Sequence, residues 1–329
     1  MRRREFVVGI ASAAAWPLPG PAQERERLPR IGVLLPLGEN DPEQMERRAG
    51  LLQGLERLGV VDGRSARIEI RYAAGGQARF EPLAKEMVAL GPDVIFVQST
   101  GFAAAVHRET RTIPVVFANV SDPLGTGFVE SLARPGGNFT GLLLFENGVA
   151  AKWLAMLKEI APGLRRAALI ADPNVTPFEY FLRPAETVAT TLGVEMVQSR
   201  VRTVTEVEAA LDALATMPDS GFLVGPGSTM LRNRDRIIAL AVRNRLPAVF
   251  PERVYAADGG LMSYGIADLI EPFRQAATYI HRILRGEKPG DLPVQKPEKF
   301  ELRINLKAAR ALGVTPPFAL LARADEVIE

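Results

Sequence analysis

Cysteine is absent from all 329 residues, which excludes a disulfide framework, a thiolate metal site and a cysteine nucleophile. Histidine is nearly absent. Only His107 and His281 are present, so a metal site built from several imidazoles is ruled out. Beyond the N-terminus no run approaches the ~18 uninterrupted apolar residues of a membrane-spanning helix, so the mature chain is expected not to span a membrane. Excess charge is missing too. Lys and Arg number 40 against 38 Asp and Glu, and residues 1–22 hold three of those arginines and one glutamate, which leaves 37 of each sign. No basic stripe remains to hold nucleic acid.

Signatures of catalysis are also lacking. There is no Gly-x-x-x-x-Gly-Lys-[Ser/Thr] loop and no Gly-x-Ser-x-Gly elbow. Gly125-Thr126-Gly127 starts like a dinucleotide fingerprint, but Glu130 stands where the third glycine belongs, and the stretch follows a fourth strand rather than a first. Gly225-Pro226-Gly227 fails at the same place, with Met230. Asp122 and Glu252 suit a ligand amine better than the paired carboxylates of glycoside hydrolysis. The expectation is a protein that is not an enzyme and needs neither cofactor nor metal.

What is present begins with an address. Arg3-Arg4-Glu5-Phe6-Val7 resembles a twin-arginine export signal. A weakly apolar run over residues 7–16 is too short to cross a bilayer, and Gly20-Pro21-Ala22 supplies the small residues of a cleavage site. The same residues also read as a general secretory signal. Either way residues 1–22 are expected to be an export signal.

From residue 30 onward, short apolar runs alternate with amphipathic ones. Strands are expected over 30–36, 68–72, 93–98 and 114–118, with helices over 44–59, 81–90 and 103–110 between them. The grammar repeats with strands over 166–171, 194–199, 221–224 and 247–250 and helices over 177–192, 204–217 and 230–244. Ile113-Pro114-Val115-Val116-Phe117 matches Leu246-Pro247-Ala248-Val249-Phe250, and Gly91-Pro92-Asp93 echoes Met217-Pro218-Asp219, which suggests two halves of related topology. The fold class expected is α/β: two doubly wound parallel-sheet lobes joined by a multi-crossing hinge. Residues 28–143 plus about 257–298 form the first lobe; residues 144–256 plus about 299–329 form the second.

Open parallel sheets bind ligands at the carboxyl ends of their strands. The segments at those ends are rich in hydroxyls, amides and carboxylates: Gln98-Ser99-Thr100, Asn119-Val120-Ser121-Asp122, Asp172-Pro173-Asn174, Gly225-Pro226-Gly227-Ser228-Thr229 and Pro251-Glu252-Arg253. Five such segments at one rim would hydrogen-bond a small polar solute. His107 is expected on a solvated helix surface.

Several long motifs carry a family likeness. Ser121-Asp122-Pro123-Leu124-Gly125-Thr126-Gly127-Phe128-Val129 runs on through Arg134-Pro135-Gly136-Gly137-Asn138-Phe139-Thr140-Gly141. Phe250-Pro251-Glu252-Arg253, Gly259 to Gly265, Lys299-Phe300-Glu301-Leu302 and the tail from Leu321 to Ile328 complete the set. Together they resemble a bacterial ABC-transporter substrate-binding family. The resemblance implies a type I periplasmic-binding-protein fold, a periplasmic location, and delivery of solute to a membrane permease. Amino acids or small aromatic or organic acids are the implied ligands. Carried over by position, Ser99, Thr100, Asn119, Ser121, Asp122 and Ser228 would line the cleft and Tyr264 would close its floor; the strand-end segments add Asn174, Gly227 and Glu252 to the expected ligand-binding residues. A sensor ectodomain serving a signalling receptor is a variant of this reading, and an exported α/β enzyme is the rival.

Overall fold

The order of strands and helices follows from burial. In this computed structural model, which describes residues 27–74 and 76–329, the first half runs β1 (Arg30–Leu35), α1 (Pro42–Arg57), β2 (Arg67–Tyr72), α2 (Phe80–Ala89), β3 (Val94–Gln98), α3 (Thr100–Glu109), β4 (Val115–Val120) and β5 (Phe139–Leu143). The second half runs α4 (Val149–Ile160), β6 (Arg166–Ala171), α5 (Phe178–Leu192), β7 (Glu195–Arg200), α6 (Val204–Ala215), β8 (Ser220–Val224), α7 (Ser228–Arg232), α8 (Arg234–Arg243), β9 (Ala248–Phe250), α9 (Arg253–Ala257) and β10 (Met262–Ile266). The chain ends with α10 (Glu271–Leu284), β11 (Phe300–Asn305), α11 (Leu306–Leu312), α12 (Phe318–Leu321) and β12 (Glu326–Ile328). Residues 1–22, expected to be an export signal, lie outside the described part.

Strands such as Val94–Gln98 and Val115–Val120 are buried at every position, as central strands covered on both faces must be. The half-exposed β2 and β7 are edges. The first sheet has the order β2-β1-β3-β4-β5, all parallel. The second, β12-β11-β10-β9-β8-β6-β7, contains the same five-strand order in β7-β6-β8-β9-β10, so the two halves repeat one topology. Among the described residues its one antiparallel pairing is β10 with β11.

The lobes differ from expectation in three ways. Residues from 257 were expected in the first lobe, yet β10 pairs with β9 and β11 in the second sheet. The return to the first lobe starts only with α10, which packs along α1. Gly54 makes that approach possible, since a Cβ there would stand 2.8 Å from Ala277 Cβ. Second, the helix expected over 230–244 is broken at Asn233, whose side-chain amide donates to the Thr229 carbonyl at 2.8 Å. Third, His107 is not simply solvated. Its ring meets Phe128 and Phe139 edge-on, at centroid distances of 5.1 and 5.2 Å, and burial, with Arg111 and Arg108 nearby, pushes its pKa below the usual range.

Three stretches pass between the lobes among the described residues: 144–148, 267–270 and 292–299. The third is tied to β5, from which the first departs. Gln295 donates its backbone N–H to Gly141 O and accepts from Leu143 N, both at 2.9 Å, extending the first sheet past β5. On its other side β5 is pressed against β4. At Gly141, with φ of 152°, a Cβ would lie 2.1 Å from the Phe117 carbonyl oxygen. Gly141→Ala is therefore expected to cost about 2 kcal/mol or more, seen as a lower urea midpoint of the full chain. An unchanged midpoint would show that β5 has slack.

Candidate functional site

Each lobe turns the carboxyl ends of its strands toward the other. Pro36 and Leu37 after β1, Gln98 and Ser99 at the end of β3, and Asn119 at the end of β4 meet Gly227 and Ser228 after β8 and Glu252 after β9 around one cavity. Arg47, Leu144 and Leu231 complete its wall. Its volume is about 40 Å³, room for about three waters, so a larger guest requires the walls to part.

Arg47 bridges the lobes. It stands on the inner face of α1, one turn before Leu51, and its Nη2 lies 2.7 Å from Glu252 Oε2 and 3.4 Å from Glu43 Oε2. The Arg47 and Glu252 side chains are only 4% and 7% exposed. Burial pushes the Glu43 carboxyl above its usual range despite the neighbouring Arg47, and Glu252 adds to the rise. Behind Arg47, Gln44 donates to Gln98 Oε1 at 2.9 Å and accepts from Leu37 N at 3.3 Å.

A second polar bridge lies further along the cleft. Fully buried Asp172, just after β6, accepts from the Thr229 hydroxyl at 2.7 Å, from Asn174 N at 3.0 Å, and from the Gln77 amide of the first lobe. The apolar cores interlock as well: Leu37 packs into a second-lobe cluster and Val175 into a first-lobe one.

Two features mark the cavity as more than a gap. Ser99 and Asn119 both have positive φ (88° and 55°). Such strain costs about 1–3 kcal/mol per residue and persists only where the surroundings enforce it. At Asn119 it accompanies a register shift between β4 and β5. In addition, Asn119 Oδ1, Ser228 Oγ and Arg47 Nε are buried without a hydrogen-bond partner, and all three residues line this cavity. Each unpartnered group costs about 1–3 kcal/mol, which a polar guest would recover.

Of the expected residues, Ser99, Asn119, Gly227, Ser228 and Glu252 come together here. Thr100 and Ser121 sit just behind: the Thr100 hydroxyl accepts from Ser121 N at 3.0 Å. Asp122 turns aside, accepting from Gly125 N at 2.8 Å and facing an outer groove beside Tyr180. Asn174 lies at another opening, with Gln77 and Phe80. Tyr264 is elsewhere, its ring stacked on Phe300 at 5.5 Å within the second-lobe core. The sequence reading missed Arg47, although a charged residue in step with Leu51 and Leu55 on a buried helix face was a usable signal. Gln77 gave no signal. Among the described residues no cluster of His, Asp and Glu suits a metal ion, and no helix is long and apolar enough to cross a membrane.

Residues 30–328 match the family model described as ABC transporter substrate binding protein. The chain belongs to that family. A tyrosine-binding protein of Clostridioides difficile is 26% identical over 274 residues, covering 83% of this chain and 78% of that protein. Among solved structures, a conserved domain protein of Vibrio cholerae aligns with a TM-score of 0.82 at 28% identity, over 92% of this chain and all of that one. An ABC domain from Streptococcus pneumoniae in complex with L-Trp aligns with a TM-score of 0.80 at 25% identity, over 91% of this chain and 99% of that one. The fold of this substrate-binding protein is thus the type I periplasmic-binding-protein fold.

The Asp172 bridge yields a prediction. Asp172→Asn keeps the shape but turns an acceptor into a donor facing Gln77 and Thr229. It should cost about 1–3 kcal/mol and lower the thermal midpoint by several degrees, measured by circular dichroism. An unaltered midpoint would mean that the bridge contributes nothing.

Proposed function

We propose that this chain is an exported, periplasmic solute-binding component of an ABC importer. It captures an amino acid or a small aromatic or organic acid between its lobes and hands it to a membrane permease. The observation that carries this reading is the set of three unpartnered polar atoms on residues from both lobes that line one cavity. The relatives described above are solute-binding proteins, one of them binding tyrosine and another holding L-Trp. The twin-arginine-like leader would take the chain across the inner membrane.

The mechanism is hinge closure. The connections at 144–148, 267–270 and 292–299 restrain the lobes while letting them part, and a guest bridging Asn119 and Ser99 to Ser228 and Glu252 stabilises the closed form. Moving closure from 1:99 to 99:1 takes about 5.5 kcal/mol of preference for the closed state. Several hydrogen bonds of about 0.5–1.5 kcal/mol each, stronger where charged, supply it. Thr100, Ser121 and Gly227 shape the wall in this reading, and Asp122, Asn174 and Tyr264 lie outside it.

Mass spectrometry of material released on denaturing the purified protein, followed by calorimetric titration, tests the proposal. One solute per chain is expected, with Asn119→Ala and Ser228→Ala each weakening it about tenfold. Absence of any bound amino acid or carboxylic acid, or turnover of one, would refute it.

A further inference from the structure

We propose that Arg47 and Glu252 form a charge filter, so that a guest enters the cleft tightly only when it carries an anionic and a cationic group together. This rests on the cleft being the binding site. The two groups come from different lobes, touch at 2.7 Å, and border the cavity. Glu252 occupies the N-cap position of α9 yet makes no capping hydrogen bond. Among the described residues its carboxylate has Arg47 as its one hydrogen-bond partner. Arg47, by contrast, also reaches Glu43 at 3.4 Å and keeps its Nε unpartnered.

A guest that separates this pair must satisfy what it separates, because a buried charge left alone is far more costly than the pair is favourable. A simple carboxylate can take Arg47 only by stranding Glu252. An amine can take Glu252 while Arg47 retains Glu43. A zwitterion satisfies both: its carboxylate meets Arg47 and its ammonium meets Glu252 and Asn119 Oδ1, an unpartnered acceptor. The asymmetry therefore ranks matched guests as amino acid first, amine second, des-amino acid last.

The test titrates the full chain with the twenty common amino acids, then compares the tightest with its des-amino carboxylic acid and its decarboxylated amine. The des-amino acid should bind at least about 100-fold more weakly than the amino acid, with the amine between them. In Glu252→Gln the amino acid should lose at least about tenfold and the des-amino acid should gain, closing the gap. The ranking in the unmutated chain decides the matter even if the variant fails to fold. A des-amino acid binding within about threefold of the amino acid in the unmutated chain, or a ratio unchanged in a folded Glu252→Gln, overturns the filter. If carboxylic acids bind and no amino acid does, the filter falls while the cleft stands as the binding site. If neither class binds, both readings fall.

Discussion

A guanidinium and a carboxylate from different lobes, buried together, set the terms for the rest of this molecule. Arg47 and Glu252 are nearly inaccessible where the two lobes meet. A pair of this kind adds little net stability, since desolvation offsets most of its attraction, but removing one partner is severe. Such a contact therefore serves selection and registry better than strength. The interlocked Leu37 and Val175 and the Gln77–Asp172–Thr229 bridge supply apolar and hydrogen-bonded contact around it.

That placement follows from the repeated topology. Two sheets of like strand order turn their carboxyl ends toward each other, so short loops from each converge without long excursions. Helix α10 leaves the second sheet to lie on α1, the helix that carries Arg47. The lobe that holds the cation is thus buttressed by chain arriving from the lobe that holds the carboxylate. The strained backbone at Ser99 and Asn119 sits at the same rim, where a fixed wall is worth its cost.

Much of this was legible in the residues, and what was not has physical reasons. The repeat was visible in the matching strands at Ile113–Phe117 and Leu246–Phe250, which became β4 and β9. Helix α4 was overlooked because Val149, Ala150, Trp153, Leu154, Met156, Leu157 and Ile160 are all buried, which blurs its polar face. Strand β5 lay inside a stretch read as a motif. The break at Asn233 comes with a side-chain hydrogen bond that periodicity cannot reveal. Five of the ten expected ligand residues line the cavity because strand-end position is readable from order alone. Tyr264 fails because position along a strand does not fix which core its ring joins, and Arg47 was missed because a rim-first reading passes over helices.

Capture by hinge closure, as proposed, requires the lobes to part and close about a guest. Since the chain has no cysteine, single cysteines at the exposed Glu81 on α2 and Arg183 on α5 can carry spin labels without background. Pulsed electron–electron resonance should give a broad or longer distance distribution in the stripped protein and one short, narrow distribution after the solute recovered from native protein is added. A single distribution that does not change on addition of that solute would contradict hinge closure.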